Sequence, residues 1–281
     1  MSYVLVVDSS SDLPKELCHK EGITVVPMPV SIEGNTYNEG VDIFPEEFYP
    51  RFPTFKELPK TSQPNPAVLQ ETYEKILAQG KEVVAIHLSS GLSSTYSTAQ
   101  MVRDICSQPD KVHVIDSLGA SLGYGLLALK SNKILQEAQS WDEAEKKIIQ
   151  VRREIRYVFT LDTLEYLVKG GRVSKTAGFI GGLLDVKPIL HITSEGRIEP
   201  LAKVRSRKAS LRKLLDLIKE EIRKPEEQVI GISHSACLDE AKQLADDIKK
   251  ALPIKDVIIS DIGCVVGSHT GPKTIALFYQ R

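Results

Sequence analysis

At 281 residues, with 42% hydrophobic and 26% charged side chains, the chain can bury one large core or two modest ones and is not a disordered segment. Its 36 basic and 37 acidic residues leave a formal charge of −1, which gives no electrostatic reason to expect nucleic acid or an anionic membrane as the main partner. Four scattered cysteines (Cys18, Cys106, Cys237 and Cys264) form no Cys-x-x-Cys pair. That argues against a zinc site and fits a reducing compartment. There is no basic leader and no apolar stretch of about 18 residues, so the chain is expected to be cytoplasmic without integral membrane association.

The first half repeats one unit of apolar strand, hydroxyl-rich turn and amphipathic helix. Tyr3 to Val7 leads into Asp8-Ser9-Ser10-Ser11-Asp12, and Val83 to Leu88 leads into Ser89-Ser90-Gly91-Leu92-Ser93-Ser94-Thr95-Tyr96-Ser97-Thr98. Val112 to Ile115 leads into Asp116-Ser117-Leu118-Gly119-Ala120-Ser121. Continuous apolar strands alternating with helices predict a parallel sheet covered on both faces, with ligands outside its carboxyl edge, where these turns fall. Ser93 or Ser94 is a strong N-cap for a helix whose apolar face carries Tyr96, Ala99, Val102 and Ile105. Between the first two units, an aromatic and proline-rich segment ends in Leu58-Pro59-Lys60-Thr61-Ser62-Gln63-Pro64-Asn65-Pro66. Its prolines predict a stiff extended loop with Thr61 and Ser62 fixed in direction, ahead of a helix near Ala67 to Gln79.

A helix near Trp141 to Ile155 precedes a change of character, and a domain boundary is placed there, dividing 1–155 from 156–281. From Tyr157 the pattern predicts a strand (Val158 to Leu161), a short helix (Thr163 to Lys169), a Gly170-Gly171 stop and a helix from about Ser174 to Leu184. A hairpin follows, Lys187 to Ile192 and Arg197 to Val204, turning at Ser194-Glu195-Gly196. Next come a basic amphipathic helix (Ser206 to Arg223), a strand (Val229 to Ser233), a helix (Leu238 to Leu252) and strands over Val257 to Asp261 and Thr274 to Tyr279. This half reads as a second α/β unit with a mixed sheet.

Eight of the ten side chains from Ser89 to Thr98 carry a hydroxyl, at a strand-to-helix junction where free N–H groups and the helix dipole favour an anion. Caps and turns account for one or two such oxygens per helix start; the surplus suggests a neutral cradle for a modest anion such as a carboxylate. Serine-hydrolase chemistry needs a base, and no histidine is tied to a serine by local spacing; no Walker loop is present. His269 lies in Gly263-Cys264-Val265-Val266-Gly267-Ser268-His269-Thr270-Gly271-Pro272, read as a loop, where the ordinary reading is a structural histidine. His87 and His113 fall inside apolar strands, and no histidine pair has metal-ligand spacing. Arg172 follows a glycine turn, Arg205 opens a basic helix, and Gly178, Gly181 and Gly182 permit close packing in an apolar segment.

Five of these segments together resemble one family. Thr61-Ser62-Gln63-Pro64, Ile86-His87-Leu88-Ser89-Ser90-Gly91-Leu92-Ser93, Lys169-Gly170-Gly171-Arg172-Val173, Val186-Lys187-Pro188-Ile189-Leu190 and Gly267-Ser268-His269-Thr270-Gly271-Pro272 are similar, in this order over the whole chain, to the DegV family of bacterial lipid-binding proteins. The resemblance implies a two-domain α/β fold that binds a long-chain fatty acid in a tunnel and acts as the non-catalytic binding subunit of a bacterial fatty-acid kinase. It implies no cofactor and no metal of its own: a separate ATP-dependent kinase subunit supplies that chemistry, and the acyl phosphate feeds phospholipid synthesis. Thr61 and Ser93 would then hold the carboxylate, with a backbone contribution near Ser94 and with His269 and Thr270 alongside. Arg172, and Arg205 as a second candidate, would face the kinase. Lys273 stands after Pro272 where the family often has glycine. The competing readings are a stand-alone Ser-dependent hydrolase or phosphotransferase, and a lipid-sensing regulatory protein.

Overall fold

The computed structural model describes residues 2–173 and 186–281. The helix expected from Ser174 to Leu184, with Gly178, Gly181 and Gly182, lies outside the described residues. In chain order the elements are β1 (Tyr3–Asp8), α1 (Lys15–Glu21), β2 (Thr24–Val26), β3 (Pro29–Ile32), β4 (Asn35–Asn38), α2 (Pro45–Arg51), β5 (Lys60–Thr61) and α3 (Pro66–Leu77). They continue through β6 (Glu82–His87), α4 (Thr95–Asp104), β7 (Val112–Asp116), α5 (Ser121–Glu137), α6 (Trp141–Glu154), β8 (Ile155–Thr160) and α7 (Glu165–Lys169). The remainder are β9 (Val186–Ile192), β10 (Ile198–Arg205), α8 (Arg207–Glu221), β11 (Val229–His234), α9 (Leu238–Ala251), β12 (Asp256–Asp261), α10 (Cys264–Thr270) and β13 (Ile275–Gln280).

The fold is α/β, built on a parallel sheet in the order β2-β1-β6-β7 and a mixed sheet in the order β10-β9-β8-β13-β11-β12. The two-residue period of a strand explains how the parallel sheet is covered twice. Val83 and Ala85 face Leu69, Tyr73 and Ile76 of α3 and Ala99 and Val102 of α4, while Val84 and Ile86 face Leu122, Tyr124 and Leu127 of α5. The mixed sheet repeats the device. Ile230, Ile232 and Leu277 pack on α8 and α9, and Tyr157, Phe159 and Phe278 join the core that contains α5.

Helix α5 is therefore shared by both sheets, and it is buried almost all round. Gly123 makes this possible: a Cβ there would lie 2.2 Å from the Tyr157 ring and 2.6 Å from that of Phe278. Caps set the helix starts, with Asn65 accepting from Ala67 N–H before α3 and Ser140 accepting from Glu143 N–H before α6.

Three sequence expectations need correction. Helix α4 ends at Asp104, so Ile105 falls beyond its apolar face and is 58% exposed. The aromatic segment after Asn35 is no plain connector: β3, β4 and β5 form a small antiparallel sheet, and Phe48, Tyr49 and Phe52 of α2 and its extension build a satellite core with Val30 and Val265. His269 stands on a helix, not in a loop. The flanking glycines serve helix α10 from outside, Gly263 by close approach and Gly271 as a cap with a positive φ of 73° and an extended ψ, a conformation that glycine alone adopts readily.

Candidate functional site

Strand β6 ends at the carboxyl edge of the parallel sheet, and the chain turns there through Leu88, Leu92 and Ser93 before entering α4. Met28 follows β2 and Ala120 follows β7 at the same edge. These residues line an apolar recess of about 60 Å³ with Leu167, Ile198, Val265 and Val266, and its polar atoms come from Thr61, Ser93, Arg172, His269 and Thr270. Thr61, Arg172 and His269 also line a larger open cavity of about 670 Å³ whose rim carries Lys56, Lys60 and Lys169. An open vestibule, with these lysines and Glu57 on its rim, and a mostly apolar recess thus share one polar wall.

That wall is built from opposite ends of the chain. Strand β5 pairs Thr61 with Val30, which fixes the backbone beneath the hydroxyl. Helix α10 brings His269 Nε2 to 2.8 Å from Thr61 Oγ1. Burial, assisted by the positive charge of Arg172, pushes the imidazole down to about 4, so it is neutral at physiological pH. His269 Nδ1 is buried and has no partner among the described residues. It faces Gly170, where a Cβ would lie 2.3 Å away, so glycine is required there by packing, while the positive φ of the turn falls on Gly171 at 70°. Arg172 is oriented by two carbonyl oxygens, Nε donating to Leu92 at 3.2 Å and Nη1 to Gly170 at 2.5 Å.

The hydroxyls divide more finely than their clustering suggests. Ser93 Oγ accepts from Thr95 N–H at 3.2 Å and lies 2.9 Å from Thr95 Oγ1, so it caps α4 while lining the recess. Ser94 is exposed and donates its hydroxyl to Gln63 Oε1 at 3.1 Å, away from both cavities. Its side chain is not brought to the site. Thr270 lines the recess but donates back to Val266 O at 3.3 Å. Ser89 donates to Gly196 O at 2.8 Å and ties down the β9–β10 turn. Arg205 is exposed at the end of β10 and lines neither cavity.

Two further features bear on chemistry. Asp8, His87 and Tyr73 are linked, with His87 Nδ1 donating to Asp8 Oδ2 at 3.0 Å and Tyr73 OH 3.0 Å from Nε2. Burial pushes the Asp8 carboxyl up, but His87, Ser10 and Leu88 N–H outweigh it and hold the group below the ordinary range. All three residues are fully buried, and the partner of His87 is a phenol, so the relay braces the ends of β1 and β6. Among the described residues no cluster of His, Cys, Asp and Glu suits a metal ion, and no helix is long and apolar enough to cross a membrane.

Lys273 takes up a left-handed conformation at φ 61°, stays exposed, and donates its N–H to Ser235 O at 2.7 Å. The turn needs a residue that tolerates positive φ, which is the property glycine supplies. The apolar lining from Met28, Leu88, Leu167 and Ile198 was not anticipated, because strand and helix apolar residues give no signal that separates cavity wall from core.

Comparisons with known proteins agree on one family. The family described as "Uncharacterised protein, DegV family COG1307" matches residues 2–281. A DegV domain-containing protein of Clostridium perfringens is 34% identical over 284 residues, covering 99% of this chain and 97% of its own. Another, from Caldanaerobacter subterraneus, is 35% identical over 277 residues. It covers 99% of this chain and 98% of its own. Among solved structures, a fatty-acid-binding DegV family protein from Thermus thermophilus superposes with a TM-score of 0.92 at 31% identity, covering 100% of both chains. DegV of Bacillus subtilis, described as a fatty acid binding protein, gives 0.88 at 29% identity, again covering 100% of both. A stearic-acid-binding protein from Eubacterium ventriosum gives 0.89 at 28%, covering 98% of this chain and 97% of its own. The chain belongs to the DegV family.

Proposed function

We propose that this chain binds a long-chain fatty acid, with the carboxylate at Thr61, Ser93 and His269 and the first carbons of the tail in the apolar recess beyond them. It then presents the carboxylate to a separate ATP-dependent kinase, and the acyl phosphate formed there feeds phospholipid synthesis. The observation that carries the reading is the shared wall: the Thr61–His269 pair separates an apolar recess from an open, lysine-rimmed vestibule. The fatty-acid ligands of the family's solved members support it.

The neutral imidazole has a definite task in this geometry. In the tautomer with its proton on Nε2, the ring donates to Thr61 Oγ1. The Thr61 O–H is then free to donate to a carboxylate. Ser93 does the same when Thr95 donates to it, and the open N–H of Ser94 at the start of α4 offers a third donor. Thr270 contributes once its hydroxyl turns from Val266 O. Arg172 and the rim lysines face the side from which a phosphoryl donor would approach, and Arg205 marks a separate exposed position for partner contact.

Energies divide the labour. The recess of about 60 Å³ takes only the first few methylenes; burying about 15 of them at ~0.8 kcal/mol each requires the protein to open around the tail and yields roughly 12 kcal/mol before the costs of opening and binding. A hydroxyl donated to the charged head adds only about 1.5–3 kcal/mol. The tail supplies affinity, and the wall decides which end faces out; for phosphoryl transfer that orientation is what counts.

Native mass spectrometry of the protein purified from bacteria is expected to show about one fatty acid per chain. Thr61→Ala should weaken rebinding by roughly ten- to a hundredfold. A delipidated chain that binds no fatty acid would refute the proposal, as would ester or ATP turnover by the purified chain alone. The hydrolase alternative finds its parts apart among the described residues: Thr61 and His269 form a hydroxyl–imidazole pair but no carboxylate reaches His269 Nδ1 to orient it, and Ser121 of Gly119-Ala120-Ser121-Leu122-Gly123 turns its hydroxyl to Asp12 and Ser233, not to a histidine.

A further inference from the structure

We propose that Asp12 and Glu39, which line neither cavity, are positioning residues for the ligand site: they hold the amino end of α10 and so set where His269 stands against Thr61. The proposal rests on the reading of the site above and extends it to a buried cluster on the far side of the helix.

Helix α10 has seven residues, fewer than two turns, and a helix that short does not hold itself in place. Asp12 Oδ1 accepts from Gly263 N–H at 2.9 Å, and Glu39 Oε1 accepts from Val265 N–H at 2.8 Å. Each carboxyl is itself held, Asp12 by the Ser121 hydroxyl and Glu39 by Ser9 Oγ at 2.5 Å. Ser260 donates to the carbonyl of Asp12, a residue that adopts φ 50°. Tyr49 OH donates to Ile262 O at 2.7 Å and lies where a Cβ on Gly267 would come within 2.3 Å of it. Gly263 has no room for a side chain: a Cβ would meet Glu39 Oε1 at 2.3 Å and Asp12 Oδ1 at 2.9 Å. The amino half of the helix is thus gripped by segments of the first half of the chain, and its last turn presents His269 and Thr270 to the recess.

Both carboxyl groups are almost fully buried, and each is a costly choice for a purely structural peg. Asp12 is faced by Glu39 and Asp261, and Glu39 by Asp8, with Tyr49, Tyr124, Cys264 and Glu46 also around the cluster. Burial, and for Asp12 also the charge of Glu39, pushes the two groups above the ordinary carboxylate range. Amide side chains of the same shape keep an oxygen for each helix N–H and a donor for the serine, so Asn and Gln are the conservative replacements.

The test reads His269 directly, in the full chain without ligand, by following its imidazole resonances against pH, and reads binding separately with cis-parinaric acid as the probe. Asp12→Ala and Glu39→Ala are expected to move the His269 titration upward from about 4 as the ring leaves Thr61. They should also weaken probe binding by about tenfold or more. Asp12→Asn and Glu39→Gln should restore both. A titration unchanged in the alanine variants overturns the proposal whatever the probe does. Should those variants not fold, Gly263→Ala, which crowds the carboxyls without removing them, is expected to shift His269 in the same direction, and an unshifted ring overturns the proposal. Wild-type protein that ignores the probe would count against the fatty-acid reading alone, since the His269 measurement still decides the positioning role.

Discussion

His269 is a base kept neutral, and this has a measurable linkage. Burial and Arg172 hold it at about 4 against an ordinary value of 6.5, so between those limits the unfolded chain binds a proton that the folded chain refuses. The associated stability is fully present above pH 6.5 and is lost as pH falls through about 4, an amount on the order of 2–3 kcal/mol. Asp12 and Glu39, whose carboxyls are raised, act with the opposite sign, so the informative quantity is wild type minus variant. In urea denaturation between pH 7 and pH 4, His269→Gln should show a flatter acid limb than wild type, so that the difference falls as pH falls. Equal limbs would show that the imidazole is not desolvated. At this scale the sequence was legible in residue type more than in direction. The Ser89 to Thr98 run does supply Ser93 to the recess, but Ser94 turns to Gln63, Ser97 to Ser94 O and Ser89 to Gly196 O. Local spacing says where a helix starts; which hydroxyl points inward depends on segments far along the chain.

Among elements, β1, β6 to β13 and the long helices followed from periodicity, β2, β3 and β4 were not anticipated, and the β9–β10 hairpin was anticipated from Ser194-Glu195-Gly196. Its role was not. The turn lies against Gly91, where a Cβ would meet Gly196 O at 2.7 Å and Glu195 O at 3.1 Å, and Ile198 just beyond lines the recess. Gly91→Ala should therefore lift the turn at a cost of about 1–3 kcal/mol and speed proteolysis near 193–197. Unaltered cleavage there would mean that the turn is held elsewhere. The short strand β5 and helix α10 escaped pattern reading for a physical reason. Elements of two and seven residues are stabilised by tertiary partners, β5 by β3 and α10 by Asp12, Glu39 and Tyr49, and carry little periodicity of their own.

For the molecule as a whole, the expected division at residue 155 falls between α6 and β8, yet the core does not stop there. Leu122, Leu126 and Ala128 of α5 pack with Leu5 and Val7 from one sheet and with Tyr157 and Phe278 from the other. Gly123→Val should wedge the sheets apart, lowering stability by about 3 kcal/mol or more while leaving a single unfolding transition. Two separated transitions would show that 1–155 and 156–281 unfold independently.

The bond between Thr61 and His269 joins residues 208 positions apart. Contacts of such sequence separation are made late, because the loop-closure entropy is spent before they repay it. During synthesis, everything through α10 must leave the ribosome before this wall can close. A chain that has not yet released α10 therefore has hydroxyls but no wall, and ligand capture there would wait for that helix.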